Sequence, residues 1–243
     1  MTIIFNWVRA VVVRSSINLE QVTFGYNGFR VFTDLTLALP AAATTAVVGP
    51  NGCGKSTLLE LIAGVAAPED GIVELGGREV ALAVQRSQVG DAFPITVAEA
   101  VAMGRWRRLG LLRRASRSDR DIVDYWITEL GLEELRHRRL GDLSGGQRQR
   151  ILLAQVFAQQ APVVLLDEPT TALDADAADR VARQLRRLAA SGTTIVAATH
   201  DFGFAGRFDH CVLLGGGRVV AAGLPVDVLT EPNLASAVSS RER

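Results

Sequence analysis

The first run in which apolar positions recur is residues 17–24, where Ile17, Leu19, Val22 and Phe24 mark a strand. A Gly25-Tyr26-Asn27-Gly28 turn separates it from a second strand over residues 31–39, so the chain is expected to open with an antiparallel β region. Residues 45–49 form a short apolar strand that enters a Gly-rich turn. Beyond the turn, Leu58, Leu59, Leu61 and Ile62 trace a helical face that stops at Gly64. Between Pro94 and Leu143 the period becomes helical. Thr96 and Glu99 have capping-box spacing ahead of a helix ending near Gly104, and Ser118 with Asp121 is expected to open another, with Ile122, Trp126 and Leu130 on its buried side. Residues 163–166 are continuously apolar, as in a parallel strand buried on both faces. A helix through Val181, Leu185 and Leu188 follows, then a second such strand over 193–199 and a hairpin around Gly215-Gly216-Gly217. The pattern predicts an α/β core with an antiparallel β subdomain at its start and a helical insertion in its middle.

Composition adds exclusions. With 243 residues, 48% of them apolar, and two cysteines, the chain is neither a disordered tail nor a disulfide scaffold. Twenty-six basic residues balance 26 acidic ones, which leaves no basic surface for general nucleic-acid binding, so no nucleic acid is expected as a partner. No run approaches the roughly 18 to 20 apolar residues of a membrane span. Lys55 is the only lysine, among arginines everywhere else. Retention of the ammonium there points to a site that needs a compact charge with three donors.

Gly49-Pro50-Asn51-Gly52-Cys53-Gly54-Lys55-Ser56-Thr57 surrounds that lysine and has the spacing of a phosphate-binding loop between a strand and a helix. Lys55 is placed to reach the β- and γ-phosphates of a nucleotide, Ser56 to hold Mg²⁺ and Thr57 to contact the α-phosphate. Asp167 and Glu168 close the buried strand, where the first carboxylate suits Mg²⁺ and the second suits an attacking water. In Leu143-Ser144-Gly145-Gly146-Gln147, Ser144 and Gln147 form a capping box, and the two glycines leave the helix N-terminus bare for an anion. With no second lysine, this anion site is expected to act on nucleotide held by another copy of the chain. Cys53 and Cys211 read as small apolar fillers rather than a redox pair, and His137 and His210 as surface residues.

These motifs resemble those of the ATP-binding-cassette (ABC) ATPases, over residues 17–234. The resemblance implies a P-loop NTPase fold of RecA-like type and a head-to-tail homodimer with ATP and Mg²⁺ at each interface. It also implies that Tyr26 stacks on adenine, Gln85 senses γ-phosphate and Mg²⁺, Asp174 contacts the partner and His200 is a switch. On the residues alone each has a plainer alternative: Tyr26 as a turn aromatic packing on the sheet, Gln85 as a solvated loop residue and His200 as a strand-end histidine. The domains expected are an ATPase core over 17–87 and 145–234, a helical signature subdomain over 88–144, an N-terminal extension over 1–16 and a short tail over 235–243.

Gln85-Arg86-Ser87-Gln88, then Asp91 through Val97, Met103-Gly104-Arg105 and Gly110 through Arg114 resemble the ATPase subunits of zinc or manganese importers. Importers of iron-siderophore complexes or haem have similar helical subdomains. That resemblance implies attachment to the cytoplasmic face of a membrane through an integral permease. A metal-binding extracytoplasmic protein would be an indirect partner, and a groove at Gln85 and Phe93 would receive the permease. Seven arginines (105, 107, 108, 113, 114, 117 and 120) are expected to form a stripe toward permease, lipid or solvent. A soluble cassette ATPase of iron-sulfur assembly is the competing reading. A coiled-coil chromosome ATPase is excluded, because only 88 residues separate Lys55 from Leu143 and no heptads are sustained. Residues 1–16 read as an amphipathic segment or as a start placed too early.

Overall fold

The computed structural model describes residues 15–83, 94–109 and 114–239. In chain order the elements begin with β1 (Ser15–Tyr26), β2 (Phe29–Pro40), β3 (Thr44–Val48), α1 (Lys55–Ile62), β4 (Asp70–Glu74) and β5 (Val80–Ala83). The helical part holds α2 (Val97–Met103), α3 (Trp106–Leu109), α4 (Arg117–Glu129) and short 3₁₀ turns at Glu133–Leu135 and Leu140–Asp142. Then follow α5 (Gly145–Ala158), β6 (Val163–Asp167), α6 (Ala175–Ala190), β7 (Thr194–Ala198) and α7 (Phe202–Ala205). The chain closes with β8 (His210–Gly215), β9 (Arg218–Gly223), α8 (Pro225–Val228) and α9 (Glu231–Ser239).

A six-stranded sheet in the order β5-β6-β7-β3-β8-β9 is the frame, parallel except for the β8–β9 hairpin. Its inner strands are buried on both faces, which explains their unbroken apolar runs. Alternate residues feed two cores. Ala46 and Val48 join one with α2, α4, α5 and α6, whereas Val47 joins Leu58, Leu59 and the antiparallel sheet β2-β1-β4 in the other. Phe32 lies in this second core at 1% exposure, where truncation to alanine costs about 3–5 kcal/mol.

The helical subdomain corrects two expectations. Helix α4 is capped by Ser116 and Asp119, not by Ser118 and Asp121: Asp119 N–H donates to Ser116 Oγ at 3.1 Å, and Ser116 Oγ–H donates to Asp119 Oδ2 at 2.6 Å. Asp119 outcompetes Asp121 because its other oxygen accepts from Arg105 Nε at 3.0 Å. Arg105 therefore leaves the expected arginine stripe. It is 3% exposed and also donates to the Ala158 carbonyl at 2.6 Å, tying α4 to the end of α5. Arg107, Arg108, Arg114, Arg117 and Arg120 are exposed, and Arg113 lies outside the described residues. A Cβ on Gly104 would stand 2.2 Å from the Gln155 carbonyl oxygen, so glycine is required where α2 ends against α5.

At the C-terminal end, residues 235–239, expected in a tail, belong to α9, where Ala237 is 1% exposed against β8. Gly215 permits this approach, since its Cβ would meet the Ala237 Cα at 2.6 Å. His210 is also corrected from the surface. It is partly buried, and its Nδ1 is enclosed without a hydrogen-bond partner among the described residues.

Candidate functional site

Parallel strands deliver their C-terminal ends to one edge of the sheet, and the chemistry-bearing residues collect there. β3 runs into the loop 49–54, and β6 delivers Asp167 and Glu168. β7 leads to His200. Together with Tyr26 from the antiparallel sheet they line a cavity of about 600 Å³ that also includes Asn51, Lys55, Ser56 and Thr57.

Close packing fixes the loop from behind. At Gly49 (φ 150°) a Cβ would lie 2.3 Å from the Leu214 carbonyl oxygen, and at Gly54 (φ 104°) it would lie 2.6 Å from the Phe32 ring. Gly54 is the N-cap of α1 and offers no side-chain acceptor, so the first N–H groups of that helix stay available to an anion in the cavity. Cys53 is buried and free, as expected for a filler, and Cys211 is buried and free on β8. Lys55 is 8% exposed, and its Nζ donates to the Gly49 carbonyl at 2.8 Å and the Pro50 carbonyl at 3.2 Å. The ammonium is thus held at the mouth of the loop by weak acceptors that phosphate oxygens can replace.

Across the cavity, burial pushes the Asp167 carboxyl up and Glu168 adds to the rise, while the Ser56 hydroxyl and the Lys55 charge oppose it. A half-buried carboxylate beside a hydroxyl, both hard oxygen donors, fits a Mg²⁺ that takes its remaining ligands from water and phosphate. Among the described residues no group of three or more His, Cys, Asp or Glu could by itself hold a metal ion.

Glu168 has a left-handed backbone (φ 51°), held where its N–H donates to the Ala198 carbonyl at 2.9 Å and its own carbonyl accepts from Thr171 N–H at 3.2 Å. Its Oε2 lies 2.8 Å from Nδ1 of the exposed His200. Gln149 of α5 donates to the Glu168 and Pro169 carbonyls at 3.4 and 3.3 Å, linking the helical subdomain to this strand end. Tyr26 stands half out of the surface, its hydroxyl donating to Glu60 Oε2 at 2.5 Å and its ring edge-on to Phe24.

Ser144, Gly145, Gly146 and Gln147 are not on the cavity wall. Ser144 caps α5, with Gln147 N–H donating to its Oγ at 3.3 Å and Gln147 Oε1 accepting from Ser144 N–H at 2.9 Å. Gly146 has a second reason to be glycine, since its Cβ would lie 2.4 Å from the Ala172 carbonyl oxygen. Asp174 caps α6 by accepting from Ala177 N–H at 2.8 Å. Gln85 and Phe93 lie outside the described residues. Sequence reasoning passed over Val31, whose side chain lines the cavity and backs Gly54, and Gln149. Nothing in their local sequence sets either apart.

The sequence profile of the ABC transporter family matches residues 32–171. The chain belongs to that family. Among curated relatives, the manganese transport system ATP-binding protein MntA of Synechocystis is 36% identical over 93% of this chain and 90% of its own length. The chelated iron transport system protein YfeB of Yersinia pestis is 36% identical over 92% and 79%, and the ferric enterobactin transport ATP-binding protein FepC of Escherichia coli is 38% identical over 87% and 82%. Among solved structures, an inward-facing transporter assigned to the metal-chelate ABC type superimposes with a TM-score of 0.81 at 32% identity, over 92% of this chain and 88% of that one. A dimeric cassette bound to ADP and Pi shares the fold, with a TM-score of 0.77 at 22% identity over 86% and 98%. This ABC ATPase therefore has the P-loop NTPase fold expected of it. No helix among its described residues is long and apolar enough to cross a membrane.

Proposed function

We propose that this ABC ATPase is the ATP-hydrolysing subunit of an importer for a divalent transition metal, manganese or zinc, working through a separate membrane permease. The observation that carries the ATPase half is the gathering of the phosphate loop, Asp167, Glu168 and His200 around one cavity. The metal half is supported by the kind of relative: manganese and zinc transport ATP-binding proteins recur among them. FepC and a haemin import ATP-binding protein stand in the same range of identity, so a chelated-iron or haem cargo is the second reading.

Binding begins with the α1 N–H groups and the loop backbone, which take the ATP phosphates while Tyr26 meets the base. Lys55 then exchanges the Gly49 and Pro50 carbonyls for the β- and γ-phosphates. Ser56, Asp167 and Gln85 would hold Mg²⁺, which would supply charge neutralisation at the phosphates. Glu168 accepts the proton of the attacking water, and His200 orients that carboxylate and stabilises charge near the γ-phosphate. Ser144, Gly145, Gly146 and Gln147 do not line their own cavity and serve the nucleotide of a second copy, with Asp174 at the contact. Loss of the γ-phosphate releases the pair.

Glu168→Gln tests this reading. With ATP it should migrate as a dimer in size-exclusion chromatography with light scattering, while turnover falls by about 10²-fold or more. A monomeric variant hydrolysing at the normal rate would refute it.

A further inference from the structure

A second cleft opens where the helical subdomain meets the core, away from the nucleotide. It has a volume of about 380 Å³, with α4 and the 3₁₀ turn at Glu133–Leu135 on one side and α6 on the other. Arg180, Arg183 and Arg187 line it from α6, at helical spacings that put them on one face, opposite Glu129 and Glu133. Glu129 is already engaged, accepting from Gln184 Nε2 at 2.5 Å and from Arg187 Nη1 at 3.0 Å. Neither Arg180 nor Arg183 makes a hydrogen bond or contact ion pair with another described residue, so the cleft carries a positive excess. Asp179, which also feels the charge of Arg183, is paired with Arg207.

At the floor lies Gln184, 3% exposed. Its amide is oriented by Glu129, because only the NH₂ can face a carboxylate. That leaves Oε1 buried without a donor among the described residues, an arrangement folded proteins avoid unless something supplies the hydrogen bond. The ligand that satisfies the cleft must therefore present negative oxygens to arginine and one hydroxyl to an amide oxygen. Hydrogenphosphate has both. Sulfate has the same shape and charge but no proton at neutral pH.

We propose that this cleft binds free hydrogenphosphate, its anionic oxygens on Arg180 and Arg183 and its P–OH donated to Gln184 Oε1, bridging α6 to the helical subdomain. The site is independent of the transport reading.

Isothermal titration with the nucleotide cavity filled by AMP-PNP and Mg²⁺ tests this. The unaltered chain should bind inorganic phosphate, with sulfate at least about tenfold weaker because Gln184 Oε1 stays unpaired. The exposed double variant Arg180→Ser/Arg183→Ser should keep its melting temperature and lose phosphate binding. Gln184→Met should bring phosphate and sulfate to within about twofold of one another. Equal affinity for the two anions in the unaltered chain, no phosphate binding, or phosphate binding that survives the arginine double variant would overturn the proposal.

Discussion

At the scale of single residues, Lys55 shows why one ammonium persists in an arginine-rich chain. Its Nζ sits between the Gly49 and Pro50 carbonyls at 2.8 and 3.2 Å, in a buried niche whose two acceptors suit a compact point charge better than a planar fork. Lys55→Arg keeps the charge and should still lower the ATPase rate by about 10²-fold or more, measured by phosphate release. A rate near normal would mean that charge alone suffices. His210 poses a different constraint. It is the register partner of Thr45 across β3 and β8, and both bury a polar atom without a partner among the described residues. Burial depresses the imidazole below its ordinary 6.5. The folded state thus resists a proton that the unfolded chain accepts, so full stability lies above 6.5 and declines as pH falls through that value. Thermal melts from about pH 7 to about pH 5.5 should show this slope, and His210→Gln should flatten it.

At the scale of elements, the helical subdomain hangs on a buried ion pair that local sequence conceals. Ser118 and Asp121 have a cap spacing as good as that of Ser116 and Asp119. What decides between them is Arg105, distant in sequence and brought up by α2, which fastens Asp119 and the end of α5 at once. Hydrogen bonds from Ser116, and then Arg105, hold the Asp119 carboxyl down to about 2. Its contribution is present above the ordinary 3.8 and is lost as pH falls toward 2. Arg105→Ala leaves that carboxylate buried without its ion-pair partner, at a cost of about 3–5 kcal/mol, read as a large drop in denaturation midpoint. Arg107→Glu, on the exposed side, should leave the midpoint nearly unchanged. The capping boxes at Thr96 and Ser144 were legible in sequence because their side-chain hydrogen bonds among the described residues are local.

For the whole molecule, legibility followed burial. Strands β3, β6 and β7 announce themselves because both faces are apolar, whereas β4 alternates at the surface and α9 is amphipathic and short, so neither has a distinctive signal. The loop 49–57, Asp167, Glu168 and His200 were readable as separate motifs, and the sheet's parallel order is what brings them to one cavity. Glycine at 146 had an apparent reason in the anion-ready helix terminus. Its second reason, the Ala172 carbonyl, depends on a contact 26 residues away that no local pattern encodes.

The central claim, that this ABC ATPase drives entry of manganese or zinc, is tested most directly by elemental mass spectrometry. Cells carrying Lys55→Ala would be compared with cells carrying the unaltered chain, both under metal limitation. Cellular manganese or zinc should fall in the variant, with iron unchanged, and recover when Lys55 is restored. Unchanged manganese and zinc, or a loss confined to iron, would contradict the account.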